Sequence, residues 1–374
     1  MADKTLSIGI VGAGGFAQFA ANAFLKVPGI KIAAVTDINE TAAASIGKSL
    51  NAEVYSDYEE FLKGSTIDLV YIATPPFLHY EQSKKALLAG KHVICEKPAA
   101  LHASEAVELA VFAADRELLY VVNLMQRYNL LYTIVKNIVS KKILGNFLHG
   151  FFENYASDEN LSENHWFWDG EKSGSIFIEH GVHFFDMFSG WLGEGKVLNT
   201  IQLQRQDTKR KIIDRVQATV LYQGGLVNFY HGFDQPKILD RQEMRLQFEH
   251  GEITLYEWVP VRMKLHGLLL TKQLERISEL LVNFTIEHHQ APREAVQKVR
   301  GRFQDIIFNE HVTIDYGNVS EKQNRYQEML VAMITDQWNW IKDRKHVRVI
   351  DESNAVQSLE MAEQSQQLSQ LIDN

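Results

Sequence analysis

The sequence predicts an α/β protein: a doubly wound parallel sheet first, then a part built on antiparallel strands. Three observations predict it. Over roughly the first 125 residues, short apolar runs alternate with helix-like stretches, the pattern of parallel strands covered on both faces. Later, "RVQATVLYQGGLVNFYHGF" (215–233) and "MRLQFEHGEITLYEW" (244–258) read as strand pairs about Gly224–Gly225 and about Gly251, and strands joined by such short turns pair antiparallel. A chain of 374 residues also exceeds what one hydrophobic core usually fills, so two domains are expected. The boundary is placed at 124/125, where the last parallel strand ends, giving domains 1–124 and 125–374.

Composition limits the function. With 45% hydrophobic and 23% charged residues the chain reads as soluble and globular, and its net charge of −9 with no long basic run gives no reason to expect nucleic acid as a partner. No run of eighteen apolar residues marks a membrane span. The start "MADKTLSIGIV" lacks the order of a signal peptide, so a cytoplasmic location is expected. A single cysteine, Cys95, leaves no internal disulfide and no cysteine-based zinc site.

The first strand, Ile8 to Val11, runs into "GAGGFA". Gly12, Gly14 and Ala17 form G-x-G-x-x-A: Gly12 for the tight turn, Gly14 for the approach of a pyrophosphate, Ala17 for close helix packing. Gly15 and Phe16 complete this turn, and the helix that follows offers free N–H groups and its positive dipole end to phosphate. "KIAAVTD" (31–37) is the next strand. It ends in Asp37, whose carboxylate can accept hydrogen bonds from ribose hydroxyls and would repel a 2′-phosphate. No arginine follows in "DINET", so NAD is expected rather than NADP. "DLVYIAT" (68–74) closes into "ATPPFLH", which places Thr74, Pro75 and His79 at the carboxyl edge of the sheet, where ligands bind. After the helix-like "YEQSKKALLAG" (80–90), "HVICEK" (92–97) brings Glu96 and Lys97 to the same edge, and "LYVVNLM" (119–125) ends the parallel pattern. Lys97 precedes Pro98, which disfavours the helical region for it; a solvated lysine in a turn is the competing reading.

From Ile178 the spacing suits a helix on which Glu179, His183 and Asp186 share one face, with His180 one turn before His183. A packed structural histidine and a chemical one both fit this pattern. No further His or Cys ligand has convincing spacing, so no metal is expected.

"GAGGFA", "TPPFLH" and "EKP", followed by "EHGVHFFD" and "FEHGEITL", together resemble the Gfo/Idh/MocA oxidoreductases: glucose-fructose oxidoreductase, inositol dehydrogenase and their relatives. The resemblance implies an N-terminal Rossmann domain and a C-terminal α/β domain with a large, mostly antiparallel open sheet. That sheet would also join copies into a homodimer or homotetramer. It implies a sugar, cyclitol or polyol substrate, a cis Lys97–Pro98 bond, and Lys97 and His183 flanking the reacting carbon. Glu179 stands where the family usually has Asp, and Ser173, Gly174 and Ser175 replace its usual glycine triplet, so the substrate transfers less well than the cofactor. In the expected reaction His183 is the base, with its pKa near the ordinary 6 to 7 if little perturbed. Lys97 stabilises the developing alkoxide, and Asp186 orients the imidazole. Arg127, Tyr128, Trp166 and Trp168 are candidate pocket lining, the tryptophans more readily read as ordinary core or interface packing.

Residues 261–320 read as a helical insertion with a heptad-like seam of Leu270, Leu274, Ile277, Leu281 and Phe284, docked either on its own domain or on a second subunit. "EHHQ" (287–290) reads as exposed polar residues. Three functional classes follow: a dehydrogenase with net turnover of NAD, a glycoside-cleaving enzyme that uses bound NAD transiently, and a non-catalytic NAD-binding regulator.

Overall fold

The parallel pattern builds a six-stranded sheet in the order β3-β2-β1-β4-β5-β6. The computed structural model describes residues 5–64, 66–206, 208–290, 295–301 and 304–372. The termini of the two expected domains (1–4 and 373–374) and two pieces of the expected insertion (291–294 and 302–303) lie outside the described residues.

The sheet's strands are β1 (Leu6–Val11), β2 (Ile30–Thr36), β3 (Glu53–Tyr55), β4 (Leu69–Ile72), β5 (His92–Cys95) and β6 (Tyr120–Val122). Between them run α1 (Gly15–Phe24), α2 (Glu40–Leu50), α3 (Tyr58–Lys63), α4 (His79–Leu88) and α5 (Ala103–Asp115). All neighbours pair parallel. β1, β4 and β6 are buried along their whole length, as strands covered on both faces must be. The strand order reverses between β1 and β4, so the crevice beyond their carboxyl ends is the place where this topology binds ligands.

Beyond Tyr128 come α6 (Leu130–Ser140), β7 (Phe147–Tyr155), α7 (Gly170–Ser173), α8 (Val182–Leu192), β8 (Lys196–Gln204), β9 (Ile213–Tyr222) and β10 (Gly225–Gly232). Then follow β11 (Arg241–Phe248), β12 (Gly251–Tyr256), β13 (Arg262–Leu269), α9 (Thr271–Ser278), β14 (Phe284–His288), β15 (Gln297–Gly301) and β16 (Gln304–Phe308). The last elements are β17 (Glu310–Gly317), α10 (Lys322–Lys342), α11 (Glu352–Gln367) and β18 (Gln370–Ile372).

The chain forms two compact units. The first holds the residues up to Tyr128 together with Asn164–Asp186 and Tyr326–Glu363; the second holds Asn129–Glu163, Met187–Arg325 and the residues from Gln364. Where sequence placed one boundary at 124/125, the chain returns twice to the first unit. One of those returns carries Glu179, His183 and Asp186.

The second unit is built on a ten-stranded sheet in the order β14-β17-β13-β12-β11-β7-β10-β9-β8-β18. Its neighbours pair antiparallel except β10 with β7 and β18 with β8. Alternate residues fill the core, among them Phe152, Phe229, Met244, Leu246, Ile253, Leu255, Met263 and Leu265. The hairpin expected at Gly224–Gly225 turns one residue earlier, at Gln223–Gly224, with Tyr222 paired to Gly225. Gly224 takes the positive φ of the turn. Gly225 instead lies so close to β7 that a Cβ would meet the Leu148 carbonyl at 2.0 Å.

The expected helical insertion is largely strand. Among its described residues, α-helix is confined to Thr271–Ser278; Leu270 precedes that helix, Leu281 follows it and Phe284 opens β14. Strand pairing takes both flanks of that helix: "RMKLHGLL" alternates and pairs with β12 and β17, and Phe284–His288 pairs with β17. Leu274, Ile277 and Leu281 are buried within this one chain, so the seam packs on its own unit.

Candidate active site

At the end of β1, Gly12 turns with φ +95°, and a Cβ there would meet the Ala73 carbonyl oxygen at 2.7 Å. This is the close approach of the β1 turn to the end of β4. Gly14 and Gly15 are exposed, and a Cβ on either would meet nothing within 4 Å. Gly14 is also the N-cap of α1 and supplies no side-chain cap, so the first N–H groups of the helix face that open space. A pyrophosphate fits such a cradle. Asp37, half-buried after β2, accepts Ala13 N–H at 2.5 Å and Asn39 N–H at 2.7 Å. These two bonds fix the carboxylate against the glycine turn. Phe16 packs beside Phe19 and Tyr326, with ring centroids 6.2 and 5.8 Å away, and Ala17 is buried against the sheet.

Two of the residues expected at the cofactor have side chains hydrogen-bonded within the protein. His79 is fully buried, its Nδ1 and Nε2 each 2.7 Å from a carbonyl oxygen, of Pro98 and Thr74; burial holds its pKa below the ordinary value. It ties the loop after β4 to the loop after β5. The Glu96 carboxylate accepts the Tyr71 hydroxyl and, at 2.8 Å, Asn123 Nδ2, and burial raises its pKa. Thr74 Oγ1 donates to Gln82 Oε1 at 2.6 Å, and Pro75 caps the short turn Pro76–Leu78.

Lys97 follows β5 through a cis bond to Pro98, as the resemblance implies. Its Nζ donates to the Glu179 carbonyl oxygen at 2.7 Å and pairs with Glu179 Oε1. The backbone that offers both acceptors is not the expected α-helix: Phe177–Gly181 forms a π-helical turn, and α8 begins at Val182. Such wide turns recur at functional sites. Periodicity cannot find one, because a single extra residue per turn is invisible over five positions.

His183, in the first turn of α8, is buried. Burial first, and then the Lys97 charge, hold its pKa well below the ordinary 6.5, so the ring is neutral. Asp186 does not orient that ring, because Arg127 takes its carboxylate. Arg127 Nε reaches Oδ1 at 3.0 Å and Oδ2 at 2.9 Å, and Nη2 reaches Oδ1 at 2.8 Å and the Asp186 carbonyl oxygen at 3.2 Å. Burial raises Asp186 to about 6 despite the pull of Arg127. This pair pins the turn after β6 to α8. Tyr128 likewise turns to structural work: its hydroxyl donates to Asp336 Oδ2 at 2.6 Å. Asp336, which sequence reasoning missed, also receives His346 Nε2 at 2.6 Å and Val349 N–H at 2.9 Å. Trp166 and Trp168 are half-buried in one short turn, with Phe167 and Trp168 edge to face at 4.7 Å.

Residues 6–124 match the oxidoreductase family with an NAD-binding Rossmann fold, and residues 132–254 match the GFO/IDH/MocA C-terminal domain. The chain belongs to the GFO/IDH/MocA oxidoreductase family. It is 28% identical over 184 residues to the glucose-6-phosphate 3-dehydrogenase of Bacillus subtilis, covering 48% of this chain and 52% of that protein. It is also 28% identical over 226 residues to a glycosyl hydrolase family 109 protein of Streptomyces niveus, covering 54% and 42%. The chain thus spans about half the length of these curated relatives. A 3-ketoreductase from Actinomadura kijaniata, solved with NADP and TDP-benzene, shares the fold with a TM-score of 0.75 over 99% of this chain and all of that one, at 14% identity.

Proposed function

We propose that this protein is an NAD-dependent dehydrogenase acting on a CH–OH group of a sugar, cyclitol or related polyol. The observation that carries the reading is that the glycine cradle, the buried His183 and the Lys97–Glu179 ion pair lie in one unit. Gly12, Gly14, Gly15 and Asp37 would hold the dinucleotide, and the Asp37 carboxylate disfavours a 2′-phosphate. When bound, NAD supplies the two-electron acceptor for the carbinol hydrogen. The chain's own residues supply the rest. A secondary alcohol gives up that hydrogen only as its hydroxyl proton leaves, and the neutral His183 imidazole takes that proton. Lys97, held by Glu179, stabilises the alkoxide that develops. Arg127 and Asp186 position the start of α8, and with it His183.

The glycosyl hydrolase relative supports a second reading, in which NAD stays bound and the substrate is oxidised and then re-reduced around bond cleavage. The two readings differ in where the electrons end. Supplied with sugars, inositols and sugar acids, a dehydrogenase forms NADH in proportion to product and depends on added NAD. Conversion without stoichiometric NADH overturns the dehydrogenase reading in favour of the second.

We also propose that the protein forms a homodimer or homotetramer through the open face of the ten-stranded sheet. Arg245 over Phe151, Arg241 over Tyr155 and Arg262 over Tyr256, at 5.4, 4.8 and 4.8 Å, support this, because arginine and aromatic residues are enriched in interfaces.

A further inference from the structure

We propose that the second unit carries a transition-metal site made of His266, His289 and His311, of the kind that takes Zn²⁺. No two of these residues are close in sequence. Strand pairing assembles them: β17 lies between β13 and β14. Across β17, His266 pairs with Thr313, and His311 lies two residues before Thr313 on the same face. On the other side Glu287 pairs with Thr313, so His289, two residues on, falls opposite His311, and its N–H donates to the His311 carbonyl oxygen at 2.9 Å. Three imidazoles therefore share one face across three neighbouring strands.

Their geometry suits a common ligand. His266 Nε2 and His311 Nε2 are 3.0 Å apart, and one candidate ligand atom from each histidine lies within 4.8 Å of the other two. Nitrogens bound to one tetrahedral zinc at about 2.0–2.1 Å stand roughly 3.3 Å from one another, so the first pair is already near coordination spacing. The His289 ring lies 4.6 Å from that of His311, and its Nε2 is 2.8 Å from Thr313 Oγ1. Rotation of the exposed His289 side chain brings its nitrogen in. Within one chain His266 and His289 are exposed and His311 is half-buried, so the site is open in the single chain, at the β14 edge of the face proposed as the interface. Three imidazoles select zinc, copper or nickel over calcium or magnesium, and three protein ligands leave a fourth position open.

The site stands apart from Lys97 and His183 in sequence and lies in the other unit, so it is independent of the proposed dehydrogenase reading. The test is calorimetric titration of Zn²⁺ into the full chain, purified without a histidine tag and stripped of metal. Co²⁺ absorbance serves as a second signal for nitrogen ligation. One saturable ion per chain is expected. His311→Ala and, separately, His266→Gln should each weaken it by about a hundredfold or more, since even outer-shell partners of a metal are worth about 10–100-fold. His183→Asn should leave it unchanged. Circular dichroism and melting curves of the same variants verify that they are folded. No saturable Zn²⁺ uptake, or equal uptake by native protein and the His266→Gln and His311→Ala variants, overturns the site.

Discussion

His183 and Asp186 sit three residues apart, both buried, and burial moves each toward its uncharged form. For His183 the neutral form is the working one. Oxidation by His183 as base is therefore expected to hold steady from pH 8 to about 6, with its acid limb well below the ordinary imidazole range rather than at 6 to 7. Initial rates against pH test this, and a limb centred at 6.5 and absent from His183→Asn would contradict the lowered pKa. Lys97→Met should spare NAD binding and lower kcat by roughly a hundredfold or more, the scale of a lost electrostatic stabiliser; near-native turnover removes Lys97 from the mechanism. For Asp186 the raised pKa means that the protonated form favours the fold, so this stability is present at low pH and lost as pH rises through about 6. Arg127→Ala removes the buried carboxylate's partner and should cost about 3–5 kcal/mol at neutral pH. The deficit should shrink below pH 6, as Asp186 protonates in both proteins. Thermal denaturation of the two at pH 7 and pH 5 measures it, and a pH-independent deficit would rule out the charge explanation.

At the scale of elements, the turn from β1 to α1 separates folding from binding. Gly14→Val keeps an extended backbone that any residue adopts and adds a side chain only to open space. Stability should fall by about 1 kcal/mol or less, the scale of an N-cap substitution, while NAD affinity falls at least tenfold. Fluorescence titration against a melting curve reads both, and retained affinity would mean that the cofactor does not use this cradle. Asp37→Ser tests the neighbouring element. It removes the repulsion of a 2′-phosphate, so NADP should gain and NAD weaken; a native protein that prefers NADP contradicts the reading. Much here was legible beforehand, because G-x-G-x-x-A, a strand-end aspartate and two loops at strand ends are local features with local causes. The π-helical turn was not, since Glu179 meets Lys97 across 82 residues of chain.

At the scale of the whole molecule, the expected outcome is net NADH from a polyol and an assembly larger than one chain, the latter read by light scattering. Periodicity and turn chemistry determined the parallel sheet, its order of elements, the cofactor turn and the antiparallel hairpins, because each depends on neighbours within a few residues. The tertiary structure alone decided which partner each charged group takes. Asp186 went to Arg127 rather than His183, Tyr128 to Asp336, and Glu96 to Tyr71 and Asn123. It likewise confined the expected helix at 270–284 to Thr271–Ser278, with strands on either side of it, and brought three distant histidines onto one face. Pairing between strands and the desolvation of buried groups are set by residues tens to hundreds of positions away, and no local pattern encodes them.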